Sequence, residues 1–335
     1  MIALDEAGIA GGASGASGGL VRAFVPGGQH ASWAAQSLEL FLGRGWHGTW
    51  PGLREDGSLT LVGPEEVTPA HSGVTAVRGA GHKAELLSAQ EITTRFPALT
   101  VPDGFAGVYE PHAGWLPSRE VAHAMVRDAG ERLRLRKTRV TAVLASSSVV
   151  YGVQTTDGPV FAPVVLLAAG VGSAALAATV GVRLPLVTRS VGYCLFDPGS
   201  RAAAGPGPGF VATLPTVVDS TTGAWLRRWG ETGTVLAGVR SRRTGVPAEV
   251  RTDVPAWEVH RVREVVARRC LPLARAPLAG GVLAYDSVAA DGTAAVTAWP
   301  SPHGLVTAAG WNGGGFKVAP AVGDHVAELI REVIA

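Results

Sequence analysis

A chain of 335 residues, 47% of them hydrophobic, is long enough to bury two cores or one large core with insertions. Its charges sum to +2 and are scattered rather than gathered in runs, so electrostatics does not imply a nucleic-acid backbone as a partner. Cys194 and Cys270 stand alone, which excludes a zinc cluster or a disulfide framework, and the absence of a basic-then-apolar leader points to the cytoplasm.

Residues 2–4 read as a buried strand running into Asp5 and Glu6 and then into a Gly/Ser/Ala loop, "LDEAGIAGGASGASGGLVR". A strand ending in an acid is what a dinucleotide fold uses to accept hydrogen bonds from a ribose. The small residues at 11–19 let backbone approach a large planar or phosphorylated ligand. Helical periodicity follows at 30–45 and 117–133, and "RLRLRK" at 132–137 alternates as a strand with one wet face does.

The uncharged stretch 160–182 is long enough to raise a membrane span. Pro163, Gly170 and Gly172 instead divide it into a strand at 164–168, a glycine turn and an Ala-rich helix. Over 190–245, short Val/Leu segments alternate with Gly, Pro and Thr as antiparallel strands do, with "GSRAAAGPGPG" at 199–209 read as a mobile loop. A helix with Val and Trp on one face is predicted over 251–268.

The last strand, 305–308, runs to Gly310, and a helix is predicted from near Ala319 or Pro320, because proline suits a first helical turn. Lys317 then projects from the intervening glycine turn, whose N–H groups can hold an anion or a cofactor edge. The predicted class is α/β. One unit comprises 1–29, 135–185 and 290–335, with strands 2–5 and 305–310 in one sheet; the other comprises 30–134 and 186–289.

Five ordered segments resemble the D-amino-acid, glycine and sarcosine oxidase family of flavoproteins. They are "LDEAGIAGGASGASGGLVR", "ELLSAQEITTRFPAL", "GWLPSREVAHAMVRDA", "APVVLLAAGVGSAALAATVGVRLPLVTRSVGY" and "AAGWNGGGFKVAPAVG". The resemblance implies an FAD-binding Rossmann-like domain of the glutathione-reductase type and a mixed or antiparallel β-sheet substrate domain. It implies hydride transfer to FAD from a C–N bond of a small amine or amino acid, with O2 or another acceptor taking the electrons. It places Asp5 at the ribose, Gly12, Ala13 and Ser14 along FAD, and Val140 against adenine. Ala169 and Gly170 form a cofactor turn, and Gly310, Gly313, Gly314, Gly315, Phe316 and Lys317 lie beside the isoalloxazine. Arg22 and Lys317 would grip a substrate carboxylate, and Tyr285 would make a polar contact over the ring.

The chain departs from the family in two places. The cysteine that tethers flavin in some members has no counterpart in "LAYDSVAADG", which implies noncovalent FAD, and Ala294 and Ala295 stand where proline is usual. The family also begins with a strand, a GxGxxG turn and a helix, a unit of about thirty residues expected ahead of Met1. A start site further upstream, a natural chain without the unit, or a partner chain supplying it all account for that. Two other functions stay open: flavin-dependent modification of a tRNA side chain, and a flavin-poor scaffold or half of a two-chain oxidase.

Overall fold

The computed structural model describes residues 1–28, 30–43, 50–199, 209–231, 233–248 and 252–335. In chain order, β1 (Ile2–Asp5) leads through a 3-10 turn (Ala13–Ala16) to β2 (Leu20–Val21) and α1 (Ala31–Phe41). Next come β3 (Ser58–Val62), α2 (Val67–Gly79), β4 (Glu85–Ser88), α3 (Ala89–Arg95), β5 (Ala106–Glu110) and β6 (Gly114–Trp115). The entry to α3 is a capping box: Ser88 and Glu91 satisfy each other's backbone N–H, so the chain turns from strand to helix within one residue.

α4 (Ser118–Ala129) follows, then β7 (Arg134–Lys137), the meander β8 (Val140–Ser146), β9 (Val149–Thr155) and β10 (Gly158–Phe161), and β11 (Val165–Leu167) with α5 (Ser173–Ala178). The uncharged stretch thus divides as its Pro and Gly residues imply, and no helix among the described residues is long and apolar enough to cross a membrane. The remaining elements are β12 (Leu186–Phe196), α6 (Gly209–Thr213), β13 (Thr216–Asp219), β14 (Ala224–Trp229), β15 (Thr234–Val239), α7 (Ala256–Val266), β16 (Leu278–Ala289), β17 (Ala295–Ala298), β18 (Leu305–Ala309) and α8 (Gly315–Ile334). Most of the loop expected at 199–209 lies outside the described residues.

An eight-stranded sheet in the order β16-β12-β15-β14-β13-β3-β5-β4 forms the larger layer. Every pair in it is antiparallel except β13 with β3. Alternation splits its side chains cleanly. Cys194, Phe196, Leu226, Val235 and Ala237 pack beneath α7, while Tyr193, Leu236, Val282 and Ala284 face the other way, toward Ala16 of the first loop. The functional groups lie on this second face.

Two expectations are corrected. Residues 2–5 and 305–310 do not share a sheet: β1 pairs in parallel with β7, whereas β18 lies between β11 and β17. No described strand bridges the two pieces with backbone hydrogen bonds, although Leu4 packs on the same apolar cluster as Val165, Leu167 and Leu305. β7 is wet on both faces rather than one, with Leu135 39% exposed, because its sheet contains only one other strand.

Candidate active site

Three glycine-rich turns meet at one strand. The 3-10 turns at 13–16 and 170–172 both pack on β16, and Trp311, at the start of the last turn, bridges Val288 of the same strand. Gly12, Ala13, Ser14, Ala169, Gly170 and the 310–315 segment are therefore brought around β16. Asn312 pins the last turn: its Oδ1 accepts from Ala289 N–H at 2.9 Å, and its Nδ2 donates to Gly292 O at 2.7 Å.

Gly310 and Gly313 have φ of +85° and +86°, a region that side-chain-bearing residues avoid. A Cβ at Gly314 would stand 2.6 Å from Lys317 Nζ, so the absent side chain leaves room for the ammonium. α8 starts at Gly315, not near Ala319 or Pro320. Lys317 thus lies in the first helical turn, and Pro320 sits inside the helix. Anchoring of 311–314 to β16 starts the helix earlier than the proline signal implies, and Ser37 Oγ accepts the Ala321 N–H at 3.2 Å beside the proline.

Charge gathers beside this turn. Arg22 follows β2, and the two N–H groups after it, of Ala23 and Phe24, donate to Glu110 Oε1 at 2.8 and 3.2 Å. Glu110 ends β5 and is 1% exposed; burial pushes its carboxyl up to about 7 despite those bonds and the nearby Arg22. The Nε of Arg22 is enclosed and has no hydrogen-bond partner. Burial lowers the Arg22 pKa, Glu110 opposes that, and Arg240 adds to it. Burial first, then Arg22 and Arg240, push the Lys317 ammonium down to about 7.

Arg189 of β12 stands directly opposite Asp286 of β16, with 3.4 Å between Nη2 and Oδ2. Burial raises the Asp286 pKa, and Arg189 and the neighbouring Ser287 and Gly313 backbone oppose that rise. His30 has a pKa lowered by burial and then by Lys317; it stacks on Trp33 at 5.1 Å and meets the edge of Trp311 at 5.9 Å. The loop before Arg22 is held by Arg227, which donates to Gly18 O at 2.6 Å while its guanidinium lies 3.8 Å from the Trp115 ring and 4.9 Å from that of Trp229.

The residues singled out from sequence divide into groups. Arg22, Lys317, Gly313 and Gly314 come together. Asp5 ends β1 with Oδ1 accepting from Ala7 and Gly8 N–H at 2.8 Å each, which shapes the loop. Val140 opens β8 at an irregularity in its pairing with β9. Phe316 turns its ring onto Phe41 at 5.7 Å, so its backbone rather than its side chain borders the turn. Tyr285 is not brought in: it stands opposite Ser190, one residue out of phase with Asp286, and so projects from the other face of β16.

Glu110, Arg189, Arg240, Asp286, Asn312 and Trp311 were not found from sequence. Only the "WNGGG" context marked Asn312 and Trp311; the charged residues carried no signal, since nothing local distinguishes them from solvated ones.

A chain with an acid at one strand end, glycine turns around one strand, and open space where a Cβ would stand at Gly12 and Gly170 fits a flat dinucleotide cofactor. The FAD-dependent oxidoreductase family model matches residues 2–329. Among curated proteins, the monomeric sarcosine oxidase of Bacillus sp. (strain B-0618) is 24% identical over 73% of this chain and 63% of its own length. The 4-methylaminobutanoate oxidase (formaldehyde-forming) of Paenarthrobacter nicotinovorans is 29% identical over 70% of this chain and 27% of its own. The chain thus spans less than two thirds of these curated relatives. Among solved structures, glycine oxidase from Geobacillus kaustophilus aligns at a TM-score of 0.78 with 24% identity, over 99% of this chain and 88% of that one. L-proline dehydrogenase from P. horikoshii aligns at 0.81 with 21% identity, over 96% and 84%.

Proposed function

The chain belongs to the family of FAD-dependent oxidoreductases, and from that premise we propose that it oxidises a C–N bond of a small amine or amino acid. The carrying observation is the pairing of Arg22, enclosed with an unused Nε, and Lys317, held at the glycine turn with no counter-ion of its own among the described residues. Two cations side by side beneath a cofactor cradle are a receptor for a substrate carboxylate. Names of the relatives, which are oxidases of sarcosine and 4-methylaminobutanoate, support the same class of N-substituted amino acid.

We assign 1–29, 135–185 and 290–335 to holding FAD and 30–134 and 186–289 to shaping the substrate site. Asp5, Gly12 to Ser14, Val140, Ala169, Gly170 and the 310–317 segment would hold the cofactor. When bound, FAD supplies the acceptor for the electron pair and hydrogen that leave the C–N bond as it becomes an imine. The protein's part is positional: Arg22 and Lys317 fix the carboxylate, and Glu110 fixes Arg22 through the backbone that follows it. A neutral Lys317, accessible near pH 7, can also take the proton released by an incoming ammonium substrate.

FAD is held without a covalent bond in this reading. Both cysteines are buried with thiols pushed up to about 12, and Cys194 faces away from the site. Their unpaired state also fits a reducing compartment. The test is anaerobic titration of FAD-loaded protein with sarcosine, glycine, proline and N-methylaspartate: bleaching of the flavin bands supports the reading, and an unchanged spectrum with every amine overturns it. Peroxide formed on admitting air would make O2 the acceptor. Reduction of a dye without peroxide would make the protein a dehydrogenase.

A further inference from the structure

A single substrate carboxylate leaves part of the charge of this site unmatched. Arg22, Arg189, Arg240 and Lys317 share it, for the charge of Arg240 is felt at each of the other three. Glu110 and Asp286 are the carboxylates that oppose them there, and both are committed. Glu110 takes the Ala23 and Phe24 N–H groups, and Asp286 takes Arg189. A carboxylate held between Arg22 and Lys317 would offset one of the two remaining cations and leave Arg240 facing solvent without a counter-ion.

The position of Arg240 suits a second contact. It directly follows β15, where Gly238 stands opposite Tyr193, so alternation sends Leu236, Gly238 and then Arg240 toward the site face. Its backbone is anchored: Arg240 N–H donates to Gly223 O at 2.8 Å, and Arg261 Nη1 donates to Arg240 O at 3.2 Å. Its side chain is exposed, and among the described residues its guanidinium has no hydrogen-bond or ion-pair partner. An anchored strand end carrying a free planar fork at the rim of a cationic pocket recognises a carboxylate bidentately.

We propose that the substrate is an amine bearing two anionic groups, with Arg22 and Lys317 holding the carboxylate next to the reacting carbon and Arg240 receiving the second at the mouth. This rests on the amine-oxidising reading above for the identity of the reaction, but the binding claim stands on the cation cluster. A dicarboxylic amine neutralises the cluster where a monocarboxylate leaves like charges facing one another. Lys317 gains most, because a neighbouring dianion favours its protonated form.

The test uses unreactive probes first. Calorimetry of the FAD-loaded protein with succinate and with acetate, at equal ionic strength, is expected to show at least about tenfold tighter binding of succinate, the worth of one charge-assisted contact. Arg240→Ala should lower succinate affinity at least about tenfold more than acetate affinity, and Arg240→Lys should recover only part of the difference. Equal affinities in the wild type, equal losses in Arg240→Ala, or binding of neither anion overturn the proposal. Anaerobic flavin reduction by N-methylaspartate and by sarcosine then separates the two claims. Succinate preference without reduction by either amine sinks the oxidase reading and keeps the dianion site. Reduction by sarcosine as efficient as by N-methylaspartate sinks the dianion site and keeps the oxidase.

Discussion

Glu110 joins the fold to the site, and replacing it tests that link. Its Oε1 accepts from Ala23 at 2.8 Å and Phe24 at 3.2 Å, so Glu110→Leu leaves two buried N–H groups unsatisfied and Arg22 without its nearest anion. Each orphaned donor costs about 1–3 kcal/mol, so the expected loss is about 2–6 kcal/mol at any pH. Glu110→Gln keeps an oxygen in the same place and behaves differently. The native carboxyl titrates at about 7 when folded against 4.5 in the open chain. The folded state therefore binds the extra proton between those values, and stability present below pH 4.5 is lost as pH rises through about 7. The span corresponds to about 3 kcal/mol, which glutamine does not lose. Chemical denaturation at pH 5 and pH 8, followed by tryptophan fluorescence, should place Glu110→Gln within about 1 kcal/mol of the native protein at pH 5 and show no decline toward pH 8. A glutamine variant that keeps the native decline, or a leucine variant within about 1 kcal/mol of the native protein, would refute the reasoning.

Other outcomes follow from the same contacts. Arg22→Lys should raise KM for a carboxylate-bearing amine about tenfold or more, because an ammonium cannot reproduce the fork, and Arg22→Ala should spare a decarboxylated analogue; equal effects on both substrates would assign Arg22 to structure. Lys317 is held at about 7 against 10.5 unfolded, so the unfolded chain binds more protons between those values and stability should rise with pH across that window; Lys317→Met should flatten the rise in a denaturation series. Binding of an anionic ligand should weaken as pH passes about 7, and calorimetry in two buffers of different ionisation heat should detect the accompanying proton uptake. Gly310→Ala meets a φ of +85° and places a Cβ 2.8 Å from Leu186 Cδ2, so thermal unfolding should show a loss of at least about 1–2 kcal/mol, with FAD affinity falling further.

Much of the architecture was legible along the chain because it depends on neighbours in sequence. An uncharged Val/Leu run cut by Pro163, Gly170 and Gly172 can only be strand, turn and helix, and β11 and α5 follow it. The same holds for the strand that ends at Asp5 and for the one that ends at Gly310. Arg22, Lys317 and the glycines at 313 and 314 were visible as a family pattern. What the sequence could not show is which distant side chains share one face of a sheet. Arg189 and Asp286 pair because β12 and β16 run antiparallel in one register, and a shift of one residue puts Tyr285 on the opposite side. Arg240 reads locally as any exposed arginine at a strand end; its closeness to Arg22 and Lys317 comes from three elements separated by long stretches of chain. Glu110 reads in sequence as an ordinary carboxylate, but in place burial pushes it up to about 7 against the N–H groups of another strand's continuation. Coulomb and desolvation energies depend on separation in space, and the chain specifies that separation only once its sheets have closed.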